Sequence, residues 1–208
     1  MRKIGVRKIG VSATRNIFIL LGLCVAGSAA ASPAPHFLPD RDVVVTYQLN
    51  LPGQGPQTYL LSYDAADQLA RIDSPAQHMF VLANLPSGRA QLVVPALHAV
   101  VDTPDFSGIA SQIENAGGAQ FTPLGHGHYA GLRCERYRIT SHDGAAQACI
   151  TPNGVVLQFD GHNRNGAAQV TATSVTFTPQ PGQEFLAPAN FANIHLSPGM
   201  LTALLQPH

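Results

Sequence analysis

From Val43 onward the chain reads as short runs of alternating apolar and polar residues, punctuated by Pro, Gly, Asn and Asp. Alternation with a period of two sends every second side chain to one face of an extended strand. In the run Val43 to Asn50, Val43, Val45, Tyr47 and Leu49 share one face, and Thr46, Gln48 and Asn50 share the other, the pattern of a half-buried strand. The same reading predicts strands over Gln57 to Tyr63, Gln68 to Asp73, His78 to Asn84, Arg89 to Val94 and Leu97 to Val101. After a break it predicts Ala119 to Thr122, Arg133 to Thr140, Ala146 to Thr151, Val155 to Asp160 and Ala167 to Thr178. His78 to Ala83 is apolar on both faces, so this strand is expected to be covered on both sides.

Two segments break the alternation. Thr103 can cap a helix, Pro104 fits its first position, and Phe106, Ile109 and Ile113 recur at helical spacing before Gly117-Gly118 stops it. Pro198 to Gln206 could bury Met200, Leu201, Leu204 and Leu205 on one helical face. No internal repeat is visible. About ten strands and one or two helices define an α+β class, and a sheet that wide must curve strongly to cover its apolar side. The expected architecture is an incomplete antiparallel barrel.

Composition divides the chain in two. All five cations of the first fifteen residues, Arg2, Lys3, Arg7, Lys8 and Arg15, precede the apolar run Ile17 to Ala26, and every acid lies at Asp40 or later. A basic start, an apolar core and the small residues Ser28-Ala29-Ala30-Ala31 match a secretory signal peptide, cleaved after Ala31. Residues 1–31 are thus expected to be a leader and 32–208 a single periplasmic domain. The apolar run is too short to span a membrane. Leu23 before Cys24 argues against lipoprotein acylation there. The remainder has seven Arg, no Lys and twelve acids, a charge of −5. That balance excludes nucleic acid as a partner, since neutralising phosphates takes clustered cations.

Beyond the leader two cysteines remain, Cys134 and Cys149, an even count in an oxidising compartment. Ser141-His142-Asp143-Gly144 lies between them as a turn, so they fall on neighbouring strands of a hairpin, nearly opposite each other. A disulfide is expected.

From Phe121 to Asp160 a family pattern comes into view. Phe121-Thr122-Pro123-Leu124-Gly125 leads into Tyr129-Ala130-Gly131-Leu132-Arg133-Cys134-Glu135-Arg136-Tyr137, then Ala148-Cys149-Ile150-Thr151-Pro152-Asn153-Gly154-Val155. This resembles an uncharacterised family of exported bacterial proteins with a LolA-like fold, that of the periplasmic lipoprotein carriers. The resemblance implies an incomplete barrel and suggests a lipid or a lipoprotein acyl chain as ligand. It departs from the family at Gln147-Ala148, where many members carry an aromatic residue.

Candidate chemistry is sparse. His126 and His128, in a segment that Gly125, Gly127 and Gly131 make loop-like, could bind Zn or Cu with His142 or His162. Set against this is the ordinary role of His as a polar turn residue. His98, Asp102 and Ser107 can be written as a triad, and Asp102 with Asp105 or Asp64 with Asp67 as carboxylate pairs, although these Asp flank turns, where they bond locally. Arg133, Arg136 and Arg138, close on one strand, could grip an anionic headgroup, or Arg136 and Arg138 could simply line a solvated face shared with Cys134. Tyr47, Tyr59, Phe80, Leu82 and Phe159 could line a cavity for an acyl chain or be plain core. No complete catalytic motif and no cofactor motif is found. The sequence therefore points to a non-catalytic periplasmic binding or carrier protein. A metal-binding protein or metal-dependent enzyme using His126 and His128, or a structural envelope interaction module, is the alternative.

Overall fold

The computed structural model describes residues 35–102, 119–141, 144–163 and 166–194. The chain divides into two units, Met1–Ala30 and Ala31–His208, and the described residues all belong to the second. Both segments expected to be helical lie outside the described residues. Among those described there is no α-helix, only 3-10 turns at Pro95–Leu97 and Gly182–Phe185.

Twelve strands form one sheet: β1 Val43–Asn50, β2 Gln57–Asp64, β3 Leu69–Ser74, β4 Met79–Asn84, β5 Arg89–Val94, β6 Ala99–Asp102, β7 Gln120–Tyr129, β8 Leu132–Ser141, β9 Gly144–Ile150, β10 Val156–Asn163, β11 Gly166–Thr176 and β12 Ala192–Ile194. Their order is β12-β6-β5-β4-β3-β2-β1-β11-β10-β9-β8-β7, so two meanders, β1 to β6 and β7 to β11, join where β1 pairs with β11. All neighbours are antiparallel except β12, which runs parallel to β6. The sheet is curved and open, with β7 and β12 at its edges.

The first meander has a ten-residue rhythm that the sequence does not announce. From β2 onward its turns end at Gln68, His78, Gly88 and His98, each with positive φ, which reverses the chain at equal intervals. Different residues begin each turn, which conceals the repeat. Asp64 Oδ1 accepts from the Ala66 and Asp67 amides, and Asn84 Oδ1 accepts from the Ser87 amide. The last turn is the Pro95–Leu97 3-10 turn, closed by the His98 amide on the Pro95 carbonyl, so β6 starts at Ala99 and not at the expected Leu97.

Among the described residues, β4 is packed on both sides by strands and a strap. Met79 and Val81 pack with Leu92, Val94, Val101 and Ile194 on one side. On the other, Phe80 and Leu82 pack with Val93 and Val100 beneath Ala187 and Phe191, residues of a strap that precedes β12. The strap is tied down by Arg71 Nη1, which donates to the Glu184 carbonyl (3.2 Å), and by Phe191, edge-on to His98 at 5.3 Å. Arg71 also forks onto Asp73 and lies 4.0 Å over the Phe80 ring.

One carboxylate links three segments. Asp42, just before β1, accepts from the Ala65 amide in the β2–β3 turn (3.0 Å) and from the Gln180 amide after β11 (2.8 Å). Bonds to a charged acceptor are worth about 1.5–3 kcal/mol each, and water replaces part of that. Asp42→Ala is therefore expected to cost about 2 kcal/mol, read from the urea unfolding midpoint. A loss within experimental error would mean that the two amides find water equally good.

Candidate functional site

The polar chemistry gathers on the β7–β8–β9 end of the sheet, and the disulfide organises it. Cys149 stands opposite Arg136, so it meets Cys134 on the diagonal, with the two Cα atoms 5.4 Å apart and the sulfurs bonded. Both cysteines are buried and belong to the main core cluster with Val43, Val45 and Leu157. Tyr137, Ala148 and Ile150, on the alternate positions of the same strands, form a second cluster with Phe121. The β8–β9 ladder is thus covered on both faces, and the solvated face expected at Cys134 is instead interior. Arg136 is half-buried and its guanidinium donates to Gln147 Oε1 (3.2 Å), while Arg138 is exposed. Arg133 falls on the opposite side by alternation, so the three arginines do not form one headgroup clamp.

The segment expected to be loop-like at His126-Gly127-His128 is regular β7 strand, paired with β8. Glycines there serve packing and a bulge at Pro123–Gly125, where Gly125 takes φ +94°. Gly127 lies opposite Cys134, and a Cβ on it would stand 2.8 Å from Cys149 Sγ and 3.3 Å from the Arg136 stem. Only glycine fits over the disulfide at that point.

Because Gly127 faces the disulfide, His126 and His128 face away from it, and both are exposed. Glu135 is opposite His126 and Arg133 is opposite His128. The Tyr137 hydroxyl donates to Glu135 Oε2 (2.8 Å), and burial, followed by that bond and the neighbouring negative charge, pushes its pKa up to about 12. Sequence inspection finds no acid near the histidines, because Glu135 reaches them only through cross-strand register. His162, expected to complete a metal site, lies in the row of Ala145, Thr140 and Gln120, at the far end of β7. His142 lies outside the described residues. Among the described residues no three His, Cys, Asp or Glu side chains stand together as a metal cage.

The five residues proposed for an acyl-chain cavity do not line one space. Tyr47 packs against the main core, and its hydroxyl donates to the Val156 carbonyl (2.8 Å), with burial raising its pKa well above the usual phenol value. Tyr59, its partner across β2, donates to Gln57 Oε1. Phe80 and Leu82 face the other way, under the strap, and Phe159 joins the Phe121–Tyr137 cluster. The alternation that makes Phe80 and Leu82 apolar partners also turns them from Val81 and the Tyr47 face.

The paper triad and carboxylate pairs dissolve likewise. His98 precedes β6 and Asp102 ends it, about 13 Å of strand rise apart, and Asp102 accepts from Gln91 Nε2; Asp105 and Ser107 lie outside the described residues. Asp64 is buried and Asp67 supplies only an amide to it, so this pair is a turn. One feature is visible only in three dimensions: an open groove of about 500 Å³ between Asp40–Asp42, Ala65–Ala66 and Phe177–Pro179, where Arg41 lies 3.7 Å over the Phe177 ring. No helix among the described residues is long and apolar enough to cross a membrane.

Comparison with solved structures places this geometry beside other proteins. An uncharacterized conserved protein from Thermus thermophilus aligns over 76% of this chain and 91% of its own, with 11% identity and a TM-score of 0.56. A chain of the Pseudomonas aeruginosa MucA/MucB complex aligns over 74% of this chain, 12% identical, with a TM-score of 0.53. The fold is shared. This chain spans 58% of the length of the latter. The neighbours also include a LolA superfamily protein from Nitrosomonas europaea, 9% identical over 73% of this chain and 92% of its own, at a TM-score of 0.39. No family model matches the chain, and no curated protein matches it.

Proposed function

We propose that this protein is an exported, non-catalytic binding protein of the bacterial envelope whose ligand docks on its surface, a protein partner being the ligand class favoured over an interior lipid. The observation that carries this reading is the packing of the candidate cavity. Tyr47, Phe80 with Leu82, and Phe159 are divided among three clusters, and residues central to them, such as Leu157 and Val93, are fully buried. A carrier of acyl chains needs a contiguous apolar space instead. The disulfide and the leader-like first 31 residues support an exported setting. The shared fold with a chain of the MucA/MucB complex supports a role in binding another protein.

Native mass spectrometry of protein recovered from a bacterial periplasm tests this. The expected mass is that of the bare polypeptide, a fluorescent fatty-acid probe is expected not to bind, and in-cell crosslinking is expected to give a discrete heteromeric adduct. Copurifying lipid, or saturable probe binding, would overturn surface docking in favour of the carrier role.

A further inference from the structure

The geometry points to a two-imidazole site for a borderline divalent cation, Cu²⁺ or Zn²⁺, formed by His126 and His128 on the exposed side of edge strand β7. Three observations converge on it. The two residues are separated by one position on a regular strand, so their Cα atoms are about 6.7 Å apart and their side chains project to the same side. That spacing lets two imidazoles tilt toward one ion, each with a metal–nitrogen bond of about 2.0–2.1 Å. Second, the direction of projection is fixed. A Cβ on Gly127 would meet Cys149 Sγ and the stem of Arg136, so this side of the strand faces the disulfide and the histidines on either side project outward. Third, β7 is the last strand of the sheet and both histidines are exposed, which leaves the remaining coordination positions to water or to an incoming donor.

Electrostatics permits the site. Arg133, opposite His128, opposes a dication, but it is exposed and can swing into solvent, and Glu135, opposite His126, offsets its charge. Glu135 is held toward Tyr137 by the hydroxyl bond to Oε2, away from the Arg133 end of the ladder. It contributes a negative field and not a ligand, which agrees with the absence of any three-ligand group among the described residues.

The chemistry sets the selectivity. Imidazole pairs follow the usual order for divalent ions, so Cu²⁺ binds more tightly than Zn²⁺, and Mg²⁺ or Ca²⁺, which seek oxygen, do not bind. Binding weakens as the pH falls, because protons compete for the same nitrogens. The site is independent of the proposed binding role: either can fail without the other.

Equilibrium dialysis of the full exported protein against CuSO₄ and ZnCl₂ tests it, with circular dichroism to confirm that variants fold. The wild type is expected to hold one Cu²⁺ per chain. His126→Ala and His128→Ala are each expected to weaken it by about tenfold or more, since losing a ligand costs at least as much as losing a partner that only orients one. The double variant should lose the site, while His98→Ala and His162→Ala, remote on the sheet, should retain it. Undiminished binding by the double variant, or no Cu²⁺ held by the wild type, would overturn the assignment. Equal loss in His162→Ala would overturn it too.

Discussion

Gly154→Ala is expected to cost about 3 kcal/mol of folding stability, because a left-handed backbone and an overpacked contact each carry a penalty of about 1–3 kcal/mol. Gly154 ends the turn Thr151-Pro152-Asn153-Gly154 with φ +80°, where its amide donates to the Thr151 carbonyl (3.0 Å). A Cβ there would overlap the Leu38 carbonyl in the segment that leads into β1. That segment is fastened to the turn by the Asp40 amide on the Asn153 carbonyl and by Asn153 Nδ2 on the Asp40 carboxylate (3.1 Å for each bond). Pushing it away also lifts Phe37 from Phe121, whose ring lies nearly parallel at 6.3 Å. Gly53 supplies the control: it has φ +78° and nothing within 4 Å of a built Cβ. Gly53→Ala should cost only the backbone share, about 1 kcal/mol. Urea unfolding of both variants separates the two contributions, and equal losses would mean that the contact with Leu38 contributes nothing.

The second large effect is at the disulfide. Replacing Cys134 and Cys149 together by alanine is expected to cost about 3 kcal/mol, the entropy of a loop of about 15 residues released in the unfolded chain. Alanine is the right choice because both positions are buried and a serine hydroxyl would lack a partner. Thermal unfolding should show the loss, and a thiol-reducing agent should lower the wild-type midpoint while leaving the double variant unmoved. In the chain beginning at Ser32, thiol titration of denatured, unreduced protein should find no free thiol; two would remove the bridge from this account.

Most strand positions were legible because the cause is local. The runs predicted for β1 and β5 coincide with the observed strands, since alternation and turn residues act within a few neighbours. The pairing of Cys134 with Cys149 was legible for the same reason, both lying on one hairpin. At β7 the reading failed. Three glycines suggested a loop, whereas Gly127 is there to let the strand cross the disulfide, a contact with a residue 22 positions further on. β12 was missed because three residues carry too little pattern, and only the edge of β6 makes them a strand.

The candidate site divides along the same line. His126 and His128 stood out in the sequence, but their common direction comes from Gly127 and their neighbours Glu135 and Arg133 from register. The cavity residues failed as a group because burial says nothing about which face or which cluster a side chain enters.

The sequence by itself determined the strand-and-turn grammar, the acidic, lysine-free character beyond residue 31 and the pairing of the two cysteines, because each depends on composition or on neighbours along the chain. Only the tertiary structure decided that two meanders join at β1 and β11, that a strap carrying Ala187 and Phe191 packs over Phe80 and Leu82, and that the histidines face outward. Those are consequences of register between distant segments, and a shift of one residue would reverse every face.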